Sequence, residues 1–181
     1  SILGNELLKK IKDYPLLNEH QFFYGHYLGN HYFVLFFQDI YNYELFETYL
    51  PGSFWNPTTN INIGTDFEPF NGRTRYAEQT AGGFYATRMG ILEYLNKIKR
   101  QGSVLVVRIE TPDYWLGLGV FVVRESIRKT LLTEHINFDE KQKAIEFFKK
   151  QIFDKFKLDI SDAIKGSKLL GTLEQKKIFE F

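Results

Sequence analysis

Apolar residues recur at helical spacing in three stretches of the chain. In "NELLKKIKDY", Leu7, Leu8 and Ile11 fall on one side and the lysines on the other, which predicts a short amphipathic helix. The longer "GGFYATRMGILEYLNKIKRQG" carries a broad apolar stripe, ends in cations that suit the helix dipole and stops at Gly102. "NFDEKQKAIEFFKKQIFDKF" repeats the apolar spacing. These stretches predict three helices that each bury one face.

Four runs rich in β-branched and aromatic residues predict strands. "HYFVLFFQDI" follows a Gly-Asn turn signal, and the shorter "YELFETYL" alternates until Pro51 and Gly52 end it. "SVLVVRI" follows the second helix directly, and "LGVFVVRE" comes after the turn-rich "ETPDYW". A helix that leads straight into an apolar strand is typical of mixed domains. The pattern therefore predicts an α/β or α+β fold with a mixed sheet of about four or five strands, packed by three or more helices.

The chain length fits one domain. With 181 residues there is enough chain for a single sizeable core, and hardly enough for two. Residues 52–72 are rich in Asn, Thr, Gly and Pro, which predicts a long ordered loop. We expect one mixed α/β domain over residues 1–171, followed by a flexible tail over residues 172–181.

The composition narrows the class of protein. The chain is 44% hydrophobic and 17% aromatic, which excludes a disordered protein of low hydrophobicity. It has no cysteine, so disulfides, thiolate metal sites and cysteine nucleophiles are excluded. No apolar run approaches the roughly 18 residues of a bilayer span, and no signal-peptide pattern occurs. We therefore expect a cytoplasmic protein that has no membrane partner.

The net charge of +1 hides an uneven distribution of charges. Residues 1–70 carry 3 Lys or Arg against 8 Asp or Glu, whereas residues 71–130 carry 10 against 5 and contain every arginine. Because guanidinium groups match phosphate oxygens in pairs, a phosphate-bearing partner is expected in this middle third. The same arginines could instead pair with the acidic first third inside the fold. The sequence leaves both interpretations open, phosphate binding and internal ion pairing.

Few side chains have the pattern of a catalytic or metal site. Three of the four histidines lie in "EHQFFYGHYLGNH" at spacings that match no compact zinc motif, so we predict no metal. No phosphate-binding loop or dinucleotide fingerprint occurs, so we predict no cofactor. The side chains that could act as acid or base are His26, His31, Glu78 and Glu125. Hydrogen-bonded imidazoles and Arg–Glu pairs would give the same residues without catalysis.

The chain ends in "LEQKKIFEF", where apolar side chains come last. This tail resembles the peptide with which partner proteins bind the sliding clamp PCNA, in which a short helical turn presents a glutamine, an aliphatic residue and aromatic rings. The corresponding residues are Gln175, Ile178, Phe179 and Phe181. The rings flank Glu180, whereas the commonest form of the peptide has an adjacent aromatic pair further along. Alternatively, the segment packs back on its own domain.

Several blocks together resemble one family. "LGNHYFVLF", "YELFETYLPGSFWNP", "GRTRYAEQTAGGFYATRMGILEYLNKIKRQGSVLVVR" and "LGVFVVRESIR" are similar to the carboxyl-terminal region of the archaeal Nre DNA repair proteins. The resemblance runs from about residue 28 to residue 128 and implies a role in the DNA damage response, with recruitment to the clamp. Such proteins usually also carry an amino-terminal half with a cysteine-rich, zinc-finger-like element. Because this chain has no cysteine, the resemblance implies the carboxyl-terminal portion of a longer protein, beginning near Ser1.

Three functions remain open at the sequence level. The first is a repair module that binds DNA or a nucleotide phosphate through an arginine-rich face and is tethered to PCNA by its tail. Its phosphate contacts would be Arg73, Arg75, Arg88 and Arg124. The second is a hydrolase that acts on DNA ends or nucleotide adducts with the acid/base candidates named above. The third is a noncatalytic protein-interaction scaffold. The sequence does not decide whether the chain is an enzyme.

Overall fold

The computed structural model describes residues 2–114 and 119–179. Within these residues the chain forms six helices and six strands, in the order α1 (Ile2–Ile11), β1 (His20–Tyr27), β2 (Asn30–Phe37), β3 (Tyr43–Tyr49), β4 (Asn62–Glu68), α2 (Ala81–Ile98), β5 (Ser103–Glu110), α3 (Gly119–Thr130), β6 (Ile136–Phe138), α4 (Lys141–Phe156), α5 (Ser161–Lys165) and α6 (Lys168–Phe179).

The six strands form one mixed sheet in the order β4-β3-β5-β2-β1-β6. Neighbouring strands are antiparallel except for β3 and β5, which run parallel and are joined through α2. The predicted mixed sheet and helical layers are therefore confirmed as an α+β fold. The strand number slightly exceeds the predicted four or five, because β1 and the short β6 extend the sheet at one edge and β4 extends it at the other.

Helices cover both faces of the sheet. The side chains of β5 alternate between two cores, since Val104 and Val106 face the layer of α1, α2 and α3, whereas Leu105 and Val107 face the layer of α4, α5 and α6. A strand buried on both faces reads as a continuous apolar run rather than as an alternating one. This burial explains why "SVLVVRI" was easily predicted.

One predicted strand is wrong. The segment "LGVFVVRE" contributes to helix α3, whose buried residues Val122, Val123, Ser126, Ile127 and Thr130 recur at helical intervals. β-Branched residues favour strands only weakly, and packing against the sheet overrides that preference. Because Ser126 and Thr130 in the buried stripe are polar, the helical periodicity of apolar residues could not be seen in the sequence.

The predicted loop over residues 52–72 is also partly wrong, because it contains the edge strand β4. Along its whole length β4 pairs with β3, from Tyr49 opposite Asn62 to Tyr43 opposite Glu68. Polar residues and a glycine are common on edge strands, which need only one hydrogen-bonded neighbour. Such a strand carries little apolar signal in the sequence.

Strand β1 was not predicted and forms a hairpin with β2. The turn between them places Leu28 and Gly29 at φ of 47° and 78°. Positive φ is the region that glycine occupies without strain.

Within the described residues, no helix is both long and apolar enough to cross a membrane.

Candidate nucleic-acid interface

Asp66 organises the segment that connects β4 to α2. Its carboxylate accepts backbone N–H bonds from Glu78 at 3.2 Å, Gln79 at 2.9 Å and Thr80 at 2.7 Å, and a hydroxyl bond from Thr80 at 2.9 Å. Burial by itself would raise the pKa of Asp66, but the bonds from Thr80 and Glu78, with the charge of Arg73, lower it. The carboxylate thus fixes the chain just before α2 begins.

Arg73 completes this arrangement from the other side of the connection. Its guanidinium donates to Asp66 Oδ1 at 3.1 Å and to the backbone oxygens of Phe67, Arg75 and Tyr76 at 2.8, 3.1 and 3.1 Å. A guanidinium has five N–H donors, so these four bonds use most of them. Arg73 therefore acts chiefly as an internal brace that shapes the connection.

Arg88 lies one layer deeper, on α2. Its Nε and Nη2 donate to the two oxygens of Glu68 at 2.6 and 2.9 Å, which is a bidentate pair. Tyr41 donates a further hydrogen bond to Glu68 at 3.0 Å. Both partners of the ion pair are buried. The charge of Arg88 is thus neutralised within the fold by Glu68, a residue of the acidic first third. This pairing is the alternative to phosphate binding that the sequence left open.

Above this pair lies a surface cleft of about 680 Å³ between α1, α2 and the connection. We call it the basic cleft. Its lining residues are Asn5, Leu8, Lys9, Lys12, Glu68, Asn71, Gly72, Arg73, Thr74, Arg75, Tyr76, Phe84, Tyr85 and Arg88. Five of them are cationic and one is acidic, so the cleft carries an excess of positive charge.

The cations at the rim of the basic cleft differ from those at its floor. Lys9 and Arg75 are exposed, and neither forms an ion pair with any residue that the structure describes. Lys12 follows directly after the last residue of α1 and is half-buried, with its Nζ 4.7 Å from the centre of the Phe70 ring. The rim thus carries three cationic side chains, Lys9, Lys12 and Arg75, none of which forms an ion pair with a described residue.

Three of the four predicted phosphate contacts meet in this cleft, and the fourth does not. Arg73, Arg75 and Arg88 line it, whereas Arg124 lies on α3 and is absent from the lining. Sequence reasoning missed Lys9 and Lys12. Their spacing in "NELLKKIKDY" predicted only a solvated helix face, because nothing in the pattern indicates that α1 packs beside α2.

The four acid/base candidates are not gathered in one place. Glu78 follows Arg75 on the connection, and Glu125 pairs with Arg128 at 2.8 Å on α3. His26 and His31 face each other across the β1–β2 hairpin with ring centres 5.2 Å apart. The histidines and Glu125 therefore sit on separate elements, away from the connection that holds Glu78.

His31 packs on the α4 side of the sheet, with its ring 4.9 Å from that of Phe156. Its Nδ1 lies 2.8 Å from the hydroxyl of Tyr24. Burial, together with the nearby His26 and Lys155, lowers the pKa of His31 to about 4. The imidazole is therefore neutral near pH 7.

A second charged group was not among the sequence candidates. Arg108 on β5 donates to Glu47 of β3 at 2.9 Å, to Asn30 of β2 at 2.8 Å and to Glu110 at 3.4 Å. We call these four residues the buried charge cluster. All of them are buried. The signal that could have linked three of them is the presence of charges within otherwise apolar strands, Glu47 in "ELFE" and Arg108 and Glu110 in "VRIE".

Of the predicted clamp-binding residues, Gln175, Ile178 and Phe179 belong to α6. This helix is anchored at its start, where Glu44 accepts bonds from the Ser167 hydroxyl at 2.5 Å and from the Leu169 amide at 3.0 Å. Leu173, beyond the expected boundary at residue 171, still packs in the second core. Gln175 is exposed on the same helix. The side chains of Ile178 and Phe179, and all of Phe181, lie outside the described residues.

Among the described residues, no group of three or more His, Asp or Glu side chains could hold a metal ion. The fold and the site define a class: an α+β protein with a six-stranded mixed sheet and a basic, tyrosine-lined cleft beside α2, the helix that connects the parallel strands β3 and β5.

The chain belongs to the archaeal Nre family. The profile described as "Archaeal Nre, C-terminal" matches residues 68–181, and the profile described as "Archaeal Nre, N-terminal" matches residues 1–56. The family resemblance is therefore confirmed, and it extends beyond the carboxyl-terminal region that the sequence blocks indicated.

Three relatives are clearly similar to this chain. "DNA repair protein NreA" of Haloferax volcanii is 36% identical over 128 residues, covering 70% of this chain and 30% of that protein. "DNA repair protein NreB" of Archaeoglobus fulgidus is 30% identical over 179 residues, covering 99% and 44%. "DNA repair protein NreA" of the same organism is 33% identical over 155 residues, covering 86% and 39%. The chain thus spans less than half the length of these relatives. No solved structure matches it.

Proposed function

We propose that this chain takes part in DNA repair and binds the phosphates of DNA in its basic cleft. The observation that carries the proposal is the set of rim cations, Lys9, Lys12 and Arg75, which converge from two distant segments beside a floor already neutralised by Glu68. The names of the relatives support the repair role. Because the acid/base candidates lie on separate elements, the proposal includes no catalytic step.

The physical basis of binding is the release of counterions. Each phosphate that a lysine or arginine neutralises frees condensed cations, so affinity falls steeply as salt rises. Lys9 and Arg75 have no ion pair with a described residue to lose when they bind a phosphate, whereas Arg88 would first have to leave Glu68. We therefore assign the phosphate contacts to the rim, and a structural role to Arg88.

The test is a salt titration of DNA binding by fluorescence anisotropy, between about 50 and 200 mM salt. Lys9→Glu should weaken binding severalfold and lower the salt slope by about 1. Lys97→Glu is the matched control, because Lys97 is also an exposed helical lysine but lies roughly 14 Å along α2 from Arg88. The proposal fails if the chain does not bind DNA at low salt, or if both variants weaken binding equally.

We further propose that the tail recruits the chain to the sliding clamp PCNA. The support is the sequence pattern of Gln175, Ile178, Phe179 and Phe181, together with the exposure of Gln175 on a helix whose start is anchored by Glu44. A tether of this kind raises the local concentration of a DNA-binding module without any new DNA contact.

Calorimetric titration of an archaeal sliding clamp with the intact chain tests this recruitment. We expect micromolar binding that disappears when Phe179 and Phe181 are both changed to alanine. Phe153→Ala is the control, since Phe153 is an exposed phenylalanine on α4. Absence of binding by the intact chain, or equal binding by the tail variant, would remove the clamp from the proposal.

A further inference from the structure

An exposed aromatic ring stands at the rim of the basic cleft. Tyr76 is 68% exposed, whereas most of the tyrosines that the structure describes are buried or half-buried. One face of its ring packs against Tyr85, with centres 4.6 Å apart and planes inclined by 32°. The exposed part of the ring is available to a ligand in the cleft.

The ring is held in place by its surroundings. The hydroxyl of Tyr85 accepts the backbone N–H bond of Ala77 at 3.1 Å, which fixes the supporting ring against the connection. Arg73 binds the backbone oxygen of Tyr76 itself at 3.1 Å. Gly72 turns the chain at a φ of 87°, a conformation that favours glycine. A ring held in this way loses little freedom when a flat ligand stacks on it.

We propose that the basic cleft binds single-stranded DNA, with an unpaired base stacked on Tyr76 and the adjoining phosphates on Lys9, Lys12 and Arg75. This inference rests on the proposed function and names the form of DNA that the cleft takes. An electropositive groove combined with exposed aromatic rings is the combination by which proteins hold single strands, because every base offers a flat face.

The arrangement favours a single strand over a duplex. In a duplex the neighbouring base pairs cover the faces of each base, so a ring beside the phosphate sites would have nothing to stack on. The volume of the cleft, about 680 Å³, lies within the range of roughly 300–1,000 Å³ that accommodates small ligands. It therefore fits a short stretch of unpaired nucleotides.

The chain also offers a matched control ring. Trp55 is 62% exposed and makes an edge contact with Phe54, with ring centres 4.7 Å apart. Neither ring lines the basic cleft, and no described cation lies over either of them. Loss of Trp55 therefore removes an exposed ring of similar kind without touching the phosphate contacts.

The experiment compares three labelled probes of equal length by anisotropy: an oligothymidine strand, a duplex, and a strand of abasic residues. The wild-type chain should bind oligothymidine at least about tenfold more tightly than the duplex, and Tyr76→Ala should remove about tenfold of that affinity. Tyr76→Phe and Trp55→Ala should bind as wild type does. The abasic strand should bind wild type and Tyr76→Ala equally.

The outcomes separate this inference from the proposed function. If strand and duplex bind equally well, with the same salt dependence, and Tyr76→Ala changes neither, the inference fails while phosphate binding stands. If no probe binds at low salt, the proposed function fails and the inference fails with it. Melting temperatures of Tyr76→Ala and Tyr76→Phe show that a loss of affinity is not a loss of folding, since an exposed ring contributes little to stability.

Discussion

The basic cleft and the buried charge cluster both contain arginines, but these arginines differ in burial and in their ion pairs. In the cluster, Arg108 lies at the centre of the sheet and has three polar partners from three strands. At the rim of the cleft, Arg75 is exposed and pairs with no described acid. The difference shows that the position of an arginine relative to the sheet decides whether its charge is paired with a buried carboxylate or remains exposed to solvent.

The buried charge cluster ties together the middle of the sheet. Glu47 is the register partner of Arg108 across the parallel β3–β5 pair, and Asn30 is the partner of Glu110 across β2–β5. Burial raises the pKa of Glu110, and the charge of Arg108 opposes that rise. Arg108 thus gives both buried carboxylates, Glu47 and Glu110, a cationic partner inside the sheet, which is a structural task.

The largest effect is expected from Arg108→Met. The change keeps much of the side-chain volume but leaves Glu47 and Glu110 buried without their cation. Removing one partner of a buried ion pair costs about 3–5 kcal/mol of the free energy of unfolding. Urea unfolding followed by circular dichroism measures this loss.

The triple variant Glu47→Gln, Arg108→Met, Glu110→Gln is the control for that prediction. It removes the uncompensated charges together with the cation, so it should regain a large part of the lost stability. A triple variant as unstable as the single one would mean that packing, and not charge, gives Arg108 its importance.

A smaller effect is expected at Asp66, which links the two regions by holding the connection that carries Arg75. Asp66→Asn replaces one acceptor oxygen with an amide, so the bonds from Gln79 and Thr80 lose their partner. Hydrogen bonds to a charged group contribute about 2 kcal/mol. We therefore expect a loss of about that size at pH 7, measured by urea unfolding.

The pH dependence sharpens this prediction. Because the fold lowers the pKa of Asp66, its contribution is present above the unfolded value of about 3.9 and is lost as the pH falls through the folded value. The stabilities of wild type and Asp66→Asn should therefore converge as the pH falls below about 4. Parallel curves down to acid unfolding would show that ionisation of Asp66 does not stabilise the connection.

Much of the fold could be predicted from the sequence because its central elements have clean periodicity. Strands β2, β3 and β5 and helices α2 and α4 are apolar in the pattern that their burial requires. Helix α3 and strand β4 could not be predicted in this way. The first buries Ser126 and Thr130 within its stripe, and the second is a polar edge.

The candidate site was only partly predictable for a related reason. The sequence showed that the arginines cluster, but it could not show that Arg88 is paired with Glu68 while Arg75 stays unpaired among the described residues. Whether an arginine is paired depends on which acidic residue the fold places beside it, and for Arg88 on α2 that residue is Glu68 at the end of β4. The presence of Lys9 in the cleft depends likewise on the packing of α1 against α2. Lys9 lies more than 60 residues before Arg75 in the sequence.

The smallest effect on stability is expected from Arg75→Gln. Since Arg75 is exposed and has no ion pair with a described residue, the free energy of unfolding should stay within about 0.5 kcal/mol of wild type. The same variant should lower the salt slope of DNA binding by about 1, because one phosphate contact is lost. Urea unfolding and the anisotropy titration measure the two quantities on one sample. A stability loss comparable to that of Arg108→Met would place Arg75 among the structural arginines and remove the contrast between rim and cluster.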